Sequence, residues 1–123
     1  MTEERPVAAE VVDSVLGALA DPTRRQLLDL LAARGEATAT TLAERLPVSR
    51  QAVVKHLAVL DAAGLVSGIR AGREVRYAVQ PAALDATARW MTSLAADWDR
   101  RLANIKRVAE AVEREESGPE DSR

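Results

Sequence analysis

The chain is 123 residues long, 47% apolar and 29% charged, with a formal net charge of −2, the size and composition of one folded globular domain. It contains no cysteine, which excludes disulfides, thiolate metal sites and cysteine nucleophiles. No apolar run reaches the ~18 residues of a membrane span or forms the core of a secretory signal, so a cytoplasmic protein with no membrane partner is expected. The small net charge hides an uneven distribution. Between Ser49 and Tyr77 stand Arg50, Lys55, Arg70, Arg73 and Arg76 against Asp61 and Glu74, whereas Glu110, Glu113, Glu115, Glu116, Glu120 and Asp121 crowd the end.

The opening MTEERP is polar and ends in a proline, and residues 1–8 read as a flexible start. A first helix follows, with Val12, Val15, Leu16 and Leu19 at helical spacing. Asp21-Pro22 ends it and opens the next, as an N-cap followed by proline at the first helical position. In that second helix Leu27, Leu28, Leu30 and Leu31 make a broad apolar face, and Arg34-Gly35 supplies a basic last turn and a left-handed cap near Ala33. Arg24 and Arg25 stand near the N-terminus of this helix, where they do not complement its dipole; a salt bridge at a buried edge and a phosphate contact are both open.

Thr38 or Thr41 can cap a short third helix that points Leu42 and Leu46 inward and stops before Pro47. Ser49 caps the fourth, SRQAVVKHLAVLDAAG, which Gly64 closes. Two helices joined by about three residues, the second well capped, form a helix-turn-helix. LVSGIR and REVRYAVQ then read as two short strands around an Ala71-Gly72 turn, with Val75, Tyr77 and Val79 alternating against Glu74, Arg76 and Ala78. A hairpin in that place is a wing. From Pro81 to about Glu116 runs a long helix with Leu84, Met91, Trp98, Ile105 and Val112 at every seventh residue and Leu94, Leu102 and Val108 beside them, a seam suited to oligomerisation. Residues 117–123 read as a disordered acidic tail. The expected fold is mainly α with a small β-hairpin: a winged helix-turn-helix over residues 9–116, ending in a long dimerisation helix.

On the helix after Ser49, Val53, Leu57 and Leu60 share one side, which leaves Gln51, Lys55 and Ala58 opposite, flanked by Ala52 and Val54. An amide that bonds adenine bidentately, cations, and small side chains that can meet a thymine methyl suit a major groove about 12 Å wide. Arginines around the hairpin tip suit a minor groove or phosphates. The candidate DNA-binding residues are therefore Ser49, Arg50, Gln51, Val54, Lys55, His56, Arg70, Arg73 and Arg76. His56, the one histidine, is expected to bond a phosphate or a neighbouring backbone group.

The segment from Ala18 to Val79 resembles the winged helix of the ArsR/SmtB family of bacterial repressors. The points of match are Asp21-Pro22-Thr23-Arg24, Leu42-Ala43-Glu44, Ser49 through His56-Leu57, Leu60, Gly64-Leu65-Val66 and the Gly72 to Tyr77 wing. The resemblance implies a homodimer that represses by occupying an operator, often with an effector that releases the DNA. It implies an interface on the terminal helices, here Val12, Leu16, Leu84, Met91, Trp98, Leu102 and Ile105. The family's metal sensors use a Cys-rich motif before the recognition helix, or His and acidic residues on the terminal helix. Here those places read LAERLPV and, on the last helix, Asp85, Asp97 and Asp99 without histidine. The chain thus resembles a branch without metal or other cofactor, with an all-carboxylate hard-cation site left open. Trp90 and Trp98 are open to effector binding or to packing.

Two other classes compete with this reading. A winged helix can serve as a protein-interaction module with an incidental basic wing. An enzyme lacks parts: there is no second histidine, no Gly-rich phosphate loop and no Ser/His/Asp set that can be brought together, so no catalytic residue is assigned.

Overall fold

The computed structural model describes residues 7–117. The expected flexible start and acidic tail fall outside these, except that Val7, Ala8 and Ser117 are already helical. The chain divides into two compact units after Ala88. The first holds α1 (Val7–Leu19), α2 (Pro22–Arg34), β1 (Ala37–Thr38), α3 (Ala39–Ala43), α4 (Arg50–Ala62), β2 (Val66–Ala71), β3 (Glu74–Val79) and the start of α5 (Pro81–Ser117); the second is the rest of α5.

Each helix start in the first unit carries its own signal. Asp21 accepts the N–H groups of Thr23 at 2.7 Å and Arg24 at 3.2 Å, with Pro22 inside the first turn of α2. Thr38, rather than Thr41, caps α3 by accepting the Thr41 N–H at 3.2 Å. Ser49 caps α4 by accepting from Ala52 at 3.1 Å. These hydroxyl and carboxylate oxygens satisfy backbone donors that a helix start leaves without partners.

Val15 and Ala18 of α1, Leu27, Leu28 and Leu31 of α2, Leu42 of α3, and Val53, Leu57 and Leu60 of α4 close one buried cluster with Leu65 and Val66. On α1 the inward row is Val12, Val15 and Ala18. Leu16, which the spacing grouped with them, is 39% exposed.

The hairpin is part of a three-stranded antiparallel sheet ordered β1-β3-β2. The third strand is the two-residue β1, which sets Ala37 against Tyr77 and Thr38 against Arg76. Two residues are too few to show a period, so this strand left no sequence signal. The turn also lies one residue later than expected: Ala71 pairs with Glu74, so Gly72 and Arg73 make the bend. Gly72 has φ +66 and Arg73 is not left-handed, the φ pattern of a type II′ turn with glycine first. Gly68 is bare because a Cβ there would stand 2.8 Å from Val75 Cγ1 and 2.9 Å from the Tyr77 ring.

The two sides of α4 should differ sharply when shortened. Leu57→Ala should lose about 2–5 kcal/mol of unfolding free energy, whereas Val54→Ala, on the open side, should change it by about 0.5 kcal/mol or less. Urea titration followed by circular dichroism checks both; equal losses would contradict this orientation of the helix.

Candidate nucleic-acid interface

Burial of Val53, Leu57 and Leu60 fixes the rotation of α4 about its axis and presents Gln51, Val54, Lys55 and Ala58 to solvent. Gln51 and Lys55 hold no side-chain hydrogen bond or ion pair among the described residues, and the same is true of Arg70 on β2 and Arg73 in the turn. Four polar groups on two adjacent elements are thus uncommitted, three of them cationic.

The other polar candidates are engaged. The Ser49 hydroxyl is occupied as a cap. Arg50 Nε donates to Thr40 Oγ1 at 3.0 Å and so ties α4 back to α3 across the turn. Arg76 donates to Glu36 Oε1 at 3.1 Å and lies 3.6 Å from Glu74. The hydrogen bond and charge of Glu36, helped by Glu74, raise its pKa above the ordinary arginine value. Thr40 and Glu36 carried no signal in the sequence, since each meets its arginine through the tertiary fold.

His56 is half-buried, and its Nδ1 lies 3.4 Å from Arg24 Nη1. Of the two expected partners, a phosphate or a backbone group, the second gives way within the protein to a guanidinium. Arg24 and Arg25 also find a specific use. Arg24 Nε donates to the Ala18 carbonyl at 2.6 Å and Nη2 to that of Gly17 at 3.3 Å, while Arg25 Nη1 donates to that of Leu19. They complement the dipole of α1, the preceding helix, by satisfying carbonyls its end leaves bare.

The interface candidates are distributed unevenly. Val12 is buried by the chain itself, and Leu84 packs against the core of the first unit. Met91, Trp98, Leu102 and Ile105 line the second unit as exposed side chains, with Trp98 53% and Ile105 62% accessible. Trp98 carries Arg101 at 5.9 Å over its ring, and together with Leu94 and Asp97 they line a cleft of about 80 Å³, small beside the roughly 300–1,000 Å³ of ligand sites. Among the described residues no group of three or more His, Asp or Glu side chains gathers where a metal could be held, and no helix is long and apolar enough to cross a membrane.

A capped second helix with one buried and one polar face, followed by a basic hairpin, defines a winged helix-turn-helix of the DNA-binding kind. A family model described as a helix-turn-helix domain matches residues 19–69. The transcriptional repressor SdpR of Bacillus subtilis is 33% identical over 91 residues, which cover 74% of this chain and all of that protein. An ArsR-like transcriptional regulator from Rhodococcus sp. RHA1 superposes with a TM-score of 0.73 at 48% identity, over 82% of this chain and 94% of that one. The homodimeric winged helix-turn-helix domain of a Mycobacterium bovis protein superposes with a TM-score of 0.53 at 28% identity, covering 83% and 94%. The chain belongs to the ArsR family of winged helix-turn-helix transcriptional regulators. It is a DNA-binding regulator of transcription.

The Asp21 cap gives this joint an acid limit. Desolvation pushes its carboxyl up, but the Arg24 and Thr23 N–H groups, with the charges of His56 and Arg24, outweigh that and hold it below its ordinary 3.8. A lowered folded value means the stabilisation is complete above the ordinary carboxyl range and disappears as the pH falls through the lowered value. Asp21→Asn should therefore be less stable than the native chain at neutral pH, and the gap in urea midpoint should close as the pH drops below 3.8. A gap that stays constant would show that the carboxylate charge contributes nothing.

Proposed function

We propose that the protein is a homodimeric repressor that occupies an inverted-repeat operator, placing α4 in successive major grooves and the β2–β3 wing against the flanking backbone. The observation that carries this reading is the uncommitted set Gln51, Lys55, Arg70 and Arg73 beside a helix whose opposite side is buried. Gln51 supplies base discrimination; Lys55, Arg70 and Arg73 supply phosphate attraction. Two-fold symmetry sets the half-sites about one helical turn apart, or a multiple of that.

The exposed row Met91, Trp98, Leu102 and Ile105 supports dimerisation through α5, since a contiguous exposed apolar row marks an interaction surface. The homodimeric state of the M. bovis neighbour supports a dimer as such. The reading assigns the protein to the cytoplasm, where its DNA is, and gives it no catalytic role. It places the chain among regulators that do not sense metal: there is no thiolate, and the one imidazole is held against an arginine. An effector of another class would release the DNA.

Fluorescence anisotropy against DNA from upstream of the protein's own coding sequence and against a scrambled duplex, over a salt series, tests the reading directly. Strong preference for the first supports it. Equal weak binding to both, also with duplexes enriched from a random pool, would overturn it in favour of an interaction module. Arg73→Ala should flatten the salt dependence by about 0.9 in the log–log slope for each phosphate that the shortened side chain no longer neutralises. Arg76→Ala should flatten it less, because Glu36 and Glu74 already neutralise that guanidinium. Trp98→Asp should place a charge in the apolar seam and yield monomers in sedimentation velocity at micromolar concentration; a persisting dimer would contradict the assignment of that seam.

A further inference from the structure

The Arg24 guanidinium joins three elements. Its side chain is only 16% exposed. Nε and Nη2 hold the last carbonyls of α1, Nη1 lies 3.8 Å from the Asp21 cap of its own helix, and the same Nη1 reaches His56 on α4. A guanidinium has only donors. Where Nη1 donates across this 3.4 Å contact, His56 Nδ1 accepts, and the ring that accepts is the neutral one with its proton on Nε2. Protonation of Nδ1 removes the acceptor and sets an imidazolium beside a guanidinium at this contact, with the Asp21 carboxylate, which the charge of His56 attracts, as the counter-charge to both.

We propose that Arg24 is a positioning residue: through neutral His56 it locks the recognition helix α4 to the α1–α2 joint, so that sequence discrimination on DNA weakens as the histidine takes up a proton. This rests on α4 being the DNA-reading helix, as proposed above. The charged groups on the elements packed against α4 are Glu10 and Asp13 of α1, Arg24 and Arg25 with the capping Asp21 at the start of α2, Asp29 and Arg34 further along α2, and Arg70 of β2; α3 has none, and α4 itself carries Arg50, Lys55 and Asp61. Carboxylates and arginines keep their charge between about pH 5.5 and pH 8, the interval in which histidine changes its own. His56 is the only histidine in the chain.

A positive ring adds general attraction for phosphates, so overall DNA affinity is the wrong readout. The informative quantity is the ratio of affinities for a duplex that the full-length protein enriches from a random pool at pH 8 and for a scrambled duplex of the same composition. In the native protein this ratio should fall by about tenfold between pH 8 and pH 5.5, the scale of one charge-assisted hydrogen bond, while scrambled binding holds or strengthens. His56→Gln keeps an acceptor that does not titrate, and its ratio should be flat with pH whatever its absolute value. Arg24→Lys keeps the charge but cannot serve two carbonyls and the ring together; measured well below its melting temperature, it should show a reduced ratio at pH 8 and a shallower pH dependence. A native ratio independent of pH, or a native-like profile in either variant, overturns the proposal while leaving DNA reading by α4 standing. Failure to enrich any duplex would overturn both.

Discussion

The structure turns on the burial of one side of α4. Val53, Leu57 and Leu60 are fully enclosed by residues of α1, α2 and α3, and at roughly 1.5–3 kcal/mol for each aliphatic side chain removed from water this is a strong constraint on a 13-residue helix. It leaves one orientation about the helix axis. Every functional statement about Gln51 and Lys55 follows from that orientation, because their exposure is the complement of the buried row.

Around this constraint the polar groups divide into those that build the interface and those left for a partner. Arg50 reaches Thr40, Arg76 reaches Glu36 and Glu74, and Arg24 and Arg25 close the end of α1. Each uses its charge inside the protein and fixes the relative placement of helix, turn and wing. Lys55, Arg70 and Arg73 direct theirs outward. A count of basic residues between Ser49 and Tyr77 therefore overstates the charge available to DNA, and the acidic partner Glu36, lying before that segment, is part of the reason.

Much of this was legible in the sequence, because it is written in local chemistry. Asp21-Pro22, Ser49 and Gly35 mark helix ends through hydrogen bonds within a few residues, and the 3.6-residue period of Val53, Leu57 and Leu60 marks the inner face of α4 directly. The long helix from Pro81 and the hairpin near Gly72 are legible for the same reason. What was hidden depends on contacts distant along the chain: β1 exists only by pairing with Tyr77 and Arg76, and the His56 contact spans 32 residues. Arg24 runs against the dipole at the start of its own helix because it serves the end of another. The turn falls on Gly72 and Arg73, one residue beyond Ala71-Gly72, because the strand register pairs Ala71 with Glu74, and nothing in the local sequence encodes that register.

We propose that the open face of α4 and the tip of the wing meet DNA. Titration of ¹⁵N-labelled protein with a duplex enriched from a random pool, read by amide and side-chain shifts, tests it most directly. The largest changes are expected at the Gln51 side-chain amide, in residues 49–56 and around Arg70 to Arg73, with Leu57 and Leu60 little moved. Changes centred on another surface, with Gln51 and Arg73 unaffected, would contradict it.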